Sequence, residues 1–109
     1  MKSLIFIILM TNCAVSNEIV FEKTEILQPK QQLIIAKTKT PVSLEIKNKS
    51  NTKVVLHSNL KMQNEILPNQ IFEYRLPKKS VFRIENPSEK IIEIHLKYEC
   101  SKIVNYQIK

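Results

Sequence analysis

Ile92-Glu93-Ile94-His95-Leu96-Lys97-Tyr98-Glu99-Cys100 is the stretch that decides the fold. Apolar and polar side chains alternate through it without a break. In an extended chain successive side chains point to opposite faces, so Ile92, Ile94, Leu96 and Tyr98 make one oily row, and Glu93, His95, Lys97 and Glu99 a wet one. Wound as a helix, the same residues would scatter around the axis. Cys100 is in phase with the oily row, which predicts a buried thiol.

Working outward, the same period of two recurs almost everywhere. Val42, Leu44 and Ile46 alternate with Ser43, Glu45 and Lys47. Phe72, Tyr74 and Leu76 alternate with Glu73 and Arg75, and Phe82 and Ile84 with Arg83 and Glu85. Strands are expected at 19–27, 32–37, 42–47, 53–58, 72–76, 82–85 and 92–98, with Val104, Tyr106 and Ile108 closing the chain. Residues 60–66 fit neither period and read as a loop or short edge strand. Turn-forming residues punctuate the pattern at Pro29, 48–52, 67–70, 77–79 and 86–88. Seven to nine short strands without a helical segment predict an all-β fold. The expected form is a small antiparallel β-sandwich, immunoglobulin-like or of a related Greek-key order, with a single domain over 17–109. No internal repeat is evident at this stage.

Two local pairings are expected. The turn at 48–52 should return the chain at 53–58 as a hairpin partner of 42–47. A three-residue loop at Pro77-Lys78-Lys79 should set Tyr74 against Phe82 and Phe72 against Ile84, with Glu73 opposite Arg83 outside. The chain contains no Gly. Asn48, Asn51, Asn69 and Asn86 are therefore the residues expected to take positive φ in the turns.

The N-terminus carries an address. Lys2 supplies one positive charge, and Leu4-Ile5-Phe6-Ile7-Ile8-Leu9-Met10 is an uninterrupted apolar run followed by Thr11-Asn12. This is the charged start and short apolar core of a secretory signal over 1–16, and is far short of the ~20 apolar residues of a membrane helix. The rival reading is a buried first strand. Ala14-Val15-Ser16 fits the small-x-small pattern of signal peptidase and would leave Asn17 first. Leu9-Met10-Thr11-Asn12-Cys13 resembles the lipobox of bacterial lipoproteins, and that resemblance implies a leader ending at Cys13 with the cysteine lipidated. Both routes stay open. Either one leaves Cys100 alone in the mature domain, without an internal disulfide. The expected location is outside the cytoplasm, periplasmic or extracellular, with a membrane anchor only if Cys13 is lipidated.

Missing residue types exclude chemistries. Without Gly there is no glycine-rich phosphate cradle. Asp is absent too, which removes the EF-hand loop, the aspartic dyad and an Asp-containing triad. His57, Met62, His95 and Cys100 are a donor set suited to copper. Their phases oppose convergence, since both histidines fall on polar faces and Cys100 on the inner one. Glu93 and His95 share a strand face, but no Ser or Cys nucleophile stands near them in a recognisable context. Neither a metal, a cofactor nor catalysis is expected. Asn48-Lys49-Ser50 matches the glycosylation sequon and reads as a chance match beside a bacterial-type leader.

Charge is the most usable surface feature. The formal net charge is +7; with Lys2 set aside the domain carries +6. The abundance of Ile, Lys and Asn is also what an AT-rich coding sequence would produce. Lys37, Lys39, Lys47, Lys49 and Lys53 fall in one strand–turn–strand neighbourhood, and Lys78, Lys79 and Lys90 in later turns. Lys47, Lys49, Lys53, Lys78 and Lys79 are the candidate binding residues, for an anionic envelope surface or an acidic protein. Nucleic acid is not expected, because no aromatic residues interleave the lysines. Taken together these features predict a non-catalytic binding or structural component of a bacterial-type cell envelope. A secreted enzyme inhibitor acting through a rigid Pro77-Lys78-Lys79 loop is the alternative, and a copper- or zinc-handling protein the third.

Overall fold

The structure is a computed structural model and describes residues 19–102 and 104–109. The expected leader (1–16), including the lipidation candidate Cys13, lies outside the described residues. Among the described residues nine strands form and no helix: β1 (Ile19–Leu27), β2 (Gln32–Ile35), β3 (Val42–Asn48), β4 (Val54–Ser58), β5 (Glu65–Ile66), β6 (Ile71–Leu76), β7 (Phe82–Glu85), β8 (Ile92–Cys100) and β9 (Tyr106–Ile108). The weakly patterned stretch at 60–66 yields only the two-residue edge strand β5.

The strands make two antiparallel sheets, one in the order β1-β8-β3-β6 and the other β9-β2-β7-β4-β5. The all-β expectation is met. β8 lies between β1 and β3, paired along its whole length with β1 from Ile19↔Cys100 to Leu27↔Ile92. Its alternation is the alternation of the fold: Ile92, Ile94, Leu96, Tyr98 and Cys100 are buried, and their neighbours are not. The inner rows of both sheets meet in one core containing Leu27, Leu33, Ile46, Leu56, Phe82, Ile84 and Leu96. Phe72 of one sheet stacks on Phe82 of the other with ring centroids 6.1 Å apart. Fully burying a side chain of that size contributes about 2–3 kcal/mol, which is why the alternation is enforced.

Both expected local pairings are overturned. β3 does not pair with β4, and β6 does not pair with β7; each connection carries the chain from one sheet to the other. β3 pairs instead with β6, placing Ile46 opposite Phe72 and Leu44 opposite Tyr74. The expected pairing of Glu73 with Arg83 does not form, because β6 and β7 lie in different sheets. Burial across the interior, Phe72 against Phe82, outweighs an exposed Glu–Arg pair worth a few tenths of a kcal/mol. The true register even sets Glu45 opposite Glu73, with Lys97 on the other side of Glu45.

The pairings β1·β8, β2·β7, β3·β6 and β4·β5 nest inside one another. They are the rungs of one long antiparallel ribbon that has been rolled so that alternate rungs fall in opposite sheets. The rolled ribbon repeats itself internally. Replacing β1–β4 by β5–β8 turns the order β1-β8-β3-β6 into β5-β4-β7-β2, which is the second sheet without β9.

Matched turns show the repeat in atomic detail. Pro29-Lys30-Gln31 recurs as Pro68-Asn69-Gln70, with φ of 66° at Lys30 and 64° at Asn69. Gln31 N–H donates to the Gln28 carbonyl at 3.0 Å, as Gln70 N–H does to that of Leu67. Each turn then docks on a fully buried asparagine. Lys30 N–H donates to the Asn86 carbonyl at 3.1 Å and Asn69 N–H to the Asn48 carbonyl at 2.8 Å. The two asparagines sit in equivalent segments, Ile46-x-Asn48-x-Ser50 leading to Leu56-His57, and Ile84-x-Asn86-x-Ser88 leading to Ile94-His95. The sequence does contain an internal repeat.

The positive-φ residues correct another expectation. They are Lys30, Lys37, Asn69 and Lys79; only Asn69 belongs to the expected four. An exposed lysine tolerates the left-handed region at about 1–2 kcal/mol. Asn48 and Asn86 serve differently, their amides closing hydrogen bonds inside the protein.

Candidate functional site

Every sheet neighbour is antiparallel, so successive connections alternate between the two ends of the sandwich. Connections one, three, five and seven (28–31, 49–53, 67–70 and 86–91) meet at one end. Lys49 N–H donates to the Glu93 carbonyl at 3.0 Å and Lys30 Nζ to the Pro87 carbonyl at 2.7 Å. This is the clasp end, held by Asn48 and Asn86. Connections two, four, six and eight (36–41, 59–64, 77–81 and 101–105) meet at the other. Thr38 N–H donates to the Ser80 carbonyl at 3.2 Å, and Val81 N–H to Asn59 Oδ1 at 3.1 Å. The eighth connection joins them along a cleft of about 70 Å³ lined by Lys37, Lys39, Thr40, Lys102 and Asn105.

This parity re-sorts the candidate lysines. Lys49 and Lys53 belong to the clasp end, beside the outward Lys47 at the close of β3; Lys78 and Lys79 belong to the opposite end. The neighbourhood expected to join Lys37 and Lys39 to Lys47, Lys49 and Lys53 does not form, because β3 separates them by seven residues, about 23 Å. Lys37 and Lys39 instead join Lys78 and Lys79, together with Lys61 and Lys102, which the sequence reading left out. Counting charges connection by connection, odd against even, would have found both.

The two ends differ in electrostatics. At the clasp end, Lys30 pairs with Glu89 at 3.3 Å, Lys49 with Glu93 at 3.2 Å and Lys53 with Glu65 at 3.4 Å. At the other end the four connections hold six lysines and no acidic residue. None of the six lysines has an ion pair among the described residues. The other ten basic residues of the described chain face nine glutamates and nearly cancel. The excess charge of the molecule is thus concentrated on one end.

Backbone and side-chain hydrogen bonds tie the connections of that end together. Lys79 N–H donates to the Thr38 carbonyl at 2.6 Å, Thr38 Oγ1 donates to the Pro77 carbonyl at 3.0 Å, and Ser80 Oγ donates to the same carbonyl at 2.6 Å. Thr38 and Ser80 are buried, while Lys37, Lys39, Lys78 and Lys79 project outward. Lys37 and Lys79 both sit at positive φ.

The copper-type donors do not converge. His57 lies on the outer face of one sheet with Nε2 2.7 Å from Glu85 Oε1. His95 lies on the outer face of the other, 2.7 Å from Glu22 Oε2 and 3.2 Å from Thr24 Oγ1. Glu22 is held below the usual carboxylate range, chiefly by its hydrogen bond with His95. Cys100 is buried as expected, its Sγ 2.7 Å from the Lys102 carbonyl. No group of three or more metal-ligating side chains occurs among the described residues. Glu93 turns to Lys49 and leaves His95 to Glu22.

A second candidate lies where β1 and β9 leave the sandwich open. Phe21 stacks on Tyr98 at 4.8 Å and meets Tyr106 edge-on at 6.1 Å. The Tyr106 hydroxyl donates to Glu25, and burial, followed by that bond, raises its pKa well above the ordinary value. Lys23 reaches the same carboxylate at 3.7 Å. Charged residues on the inner row of an edge strand deter a further strand from pairing there, a structural duty that accounts for the cluster.

No protein-family model, no curated protein and no solved structure matches this chain.

Proposed function

We propose that this chain is an exported, non-catalytic binding component of a bacterial-type cell envelope, and that the lysine-bearing end makes its principal contact. The arrangement is read as a Greek-key sandwich of the jelly-roll order, β1-β8-β3-β6 against β2-β7-β4-β5, in place of the immunoglobulin order. The observation that carries the proposal is the concentration of the excess positive charge on four connections with no carboxylate among them. Charge spread by biased composition alone would fall on both ends. The hydrogen-bonded backbone beneath supports a binding role, since a surface held in place loses less freedom on docking. Export rests on Lys2, the apolar run 4–10 and the two processing patterns.

Intact-mass measurement of the mature protein tests the address. A start at Asn17, or a diacylated Cys13, is expected; an unprocessed cytosolic chain would sink the reading. Fractionation tests the contact, with retention on an anionic envelope fraction expected at low salt and release at high salt.

One observation favours the inhibitor reading as second choice. Pro77-Lys78-Lys79 projects from a connection whose backbone is tied to Thr38 by four hydrogen bonds, the kind of braced basic loop that such an inhibitor needs. Capture of an acidic-clefted enzyme, lost in Lys78→Glu, would favour it. Nothing in the donor geometry favours a copper- or zinc-handling role.

A further inference from the structure

The first described residue of β1, Ile19, pairs with Cys100, the last residue of β8. Cys100 leads directly into the eighth connection, and so Ile19 lies at the lysine-bearing end. The chain that precedes it therefore enters the sandwich there. Both processing routes leave the mature chain starting within six residues of Ile19 in sequence, at Asn17 or at Cys13.

We propose that this end is a docking surface for an anionic phospholipid bilayer, with the sandwich standing on it through Lys37, Lys39, Lys61, Lys78, Lys79 and Lys102. The proposal deepens the binding reading above by naming the partner. Three features select a bilayer over other polyanions. The lysines come from four separate connections and cover an end of the molecule, as a planar partner requires, where a threaded polymer needs a groove. No aromatic residue occurs in 36–41, 59–64, 77–81 or 101–105, so the lysines are not interleaved with rings on which bases would stack. The chain also enters β1 at this end, at Ile19. Lys37, Lys39 and Lys102 also share one cleft at this end. Among the described residues the opposing charge near this end is Glu99, at the penultimate position of β8, which Arg75 of the same outer face offsets.

The test is partition of the full chain onto vesicles of phosphatidylcholine alone or with about a third phosphatidylglycerol. The apolar N-terminal run binds both compositions, so the ratio between them reads the lysines. Each lysine near an anionic surface strengthens binding about 5-fold at low salt. Lys37→Gln, Lys39→Gln, Lys78→Gln and Lys79→Gln together should lower the ratio about 100-fold or more, and arginine at the same four positions should restore it. Lys30→Gln, Lys49→Gln, Lys53→Gln and Lys90→Gln together should change it less than about 3-fold. Equal losses from the two sets, or equal partition onto the two vesicle types, would overturn the proposal. Retention on a soluble polyphosphate that depends on the first set, without preference for anionic vesicles, would overturn it too, and would leave the broader binding reading standing.

Discussion

The two ends of this sandwich are built from the same strands and differ in charge. At the clasp end, two turns dock on two buried asparagines, lysines are matched to glutamates, and Ile26, Leu67, Ile71 and Ile91 stand exposed. At the lysine end the backbones also clasp one another, through Thr38 and Ser80, but the side chains above them carry one sign of charge. The lesson is that polar side chains fix the connections from inside while the outside stays free to vary. Asn48 and Asn86 are fully buried, and their side-chain nitrogens donate to backbone carbonyls.

Deleting those amides is the largest way to break the comparison. Asn86 Nδ2 donates to the carbonyls of Leu27, Gln28 and Lys90 at 3.1, 3.1 and 2.7 Å, and its Oδ1 accepts from Ser88 N–H and Oγ. Asn86→Ala leaves several of these groups buried without a partner, at about 1–3 kcal/mol each. We expect a loss of about 4 kcal/mol in denaturant unfolding. Asn48 makes fewer bonds, to the carbonyls of Thr52 and Ile66 and from Ser50 N–H, and Asn48→Ala should cost about 3 kcal/mol. If either variant unfolds within about 1 kcal/mol of the parent, the clasps do not hold the end.

The serines of the two clasps sharpen the difference between the repeats. Ser88 Oγ folds back on its own Asn86, at 2.7 Å from Oδ1. Ser50 Oγ reaches instead to β8, accepting from Glu93 N–H at 2.6 Å. Ser50→Ala therefore removes a tie between connection three and the central strand of its sheet. The expected cost is about 1–2 kcal/mol, against about 0.5 kcal/mol for Ser88→Ala, whose partners keep other bonds. Faster amide exchange at Glu93 in Ser50→Ala alone is the check; equal exchange in both variants would show the repeats to be equivalent here.

How far this was legible follows from the range of each signal. Alternation is local and strong, so β1, β3, β6, β7 and β8 stand within a residue or two of where period two puts them, and Cys100 is buried as its phase requires. Strand pairing is not local. The chain at 48–52 and at 77–81 looks like hairpin turns, since turn residues between two amphipathic strands look alike whether the chain returns to its own sheet or crosses to the other. The repeat was written in the sequence but thinly, as Asn-x-Ser and Pro-x-Gln among many substituted positions. Its meaning lies in hydrogen bonds between residues far apart in the chain, Lys30 with Asn86 and Asn48 with Asn69. The lysine end was half visible: Lys37, Lys39, Lys78 and Lys79 stood out as charges, but only the alternation of ends brings them to Lys61 and Lys102.

Charge removal tests the ends with opposite signs. Lys49→Gln with Lys53→Gln deletes two ion pairs, of 3.2 and 3.4 Å, and should lower stability by about 0.5 kcal/mol at low salt. Lys78→Gln with Lys79→Gln relieves repulsion among like charges and should raise it by a few tenths of a kcal/mol. Both effects should fade in high salt, where the Debye length falls to ~3 Å. Thermal melts at two ionic strengths decide the matter, and changes of the same sign at both ends would show that the lysine end is neutralised after all.

The smallest effect belongs to the surface between the ends. Glu22 bonds His95 at 2.7 Å, and this bond, with lesser help from the charges of His95 and Lys97, holds the Glu22 carboxyl below its ordinary range. A carboxyl with a lower pKa in the folded chain than in the unfolded one stabilises the fold above the unfolded value. That contribution is lost as pH falls through the folded value. Glu22 is more than half exposed, so solvent screening limits the contribution to less than about 1 kcal/mol. The stability gap between the parent and Glu22→Gln should therefore be small near neutrality and close as the solution is acidified through the carboxylate range. A gap that stays constant into acid would mean that packing of the Glu22 stem on β8, and not its charge, joins these two strands on the outer face.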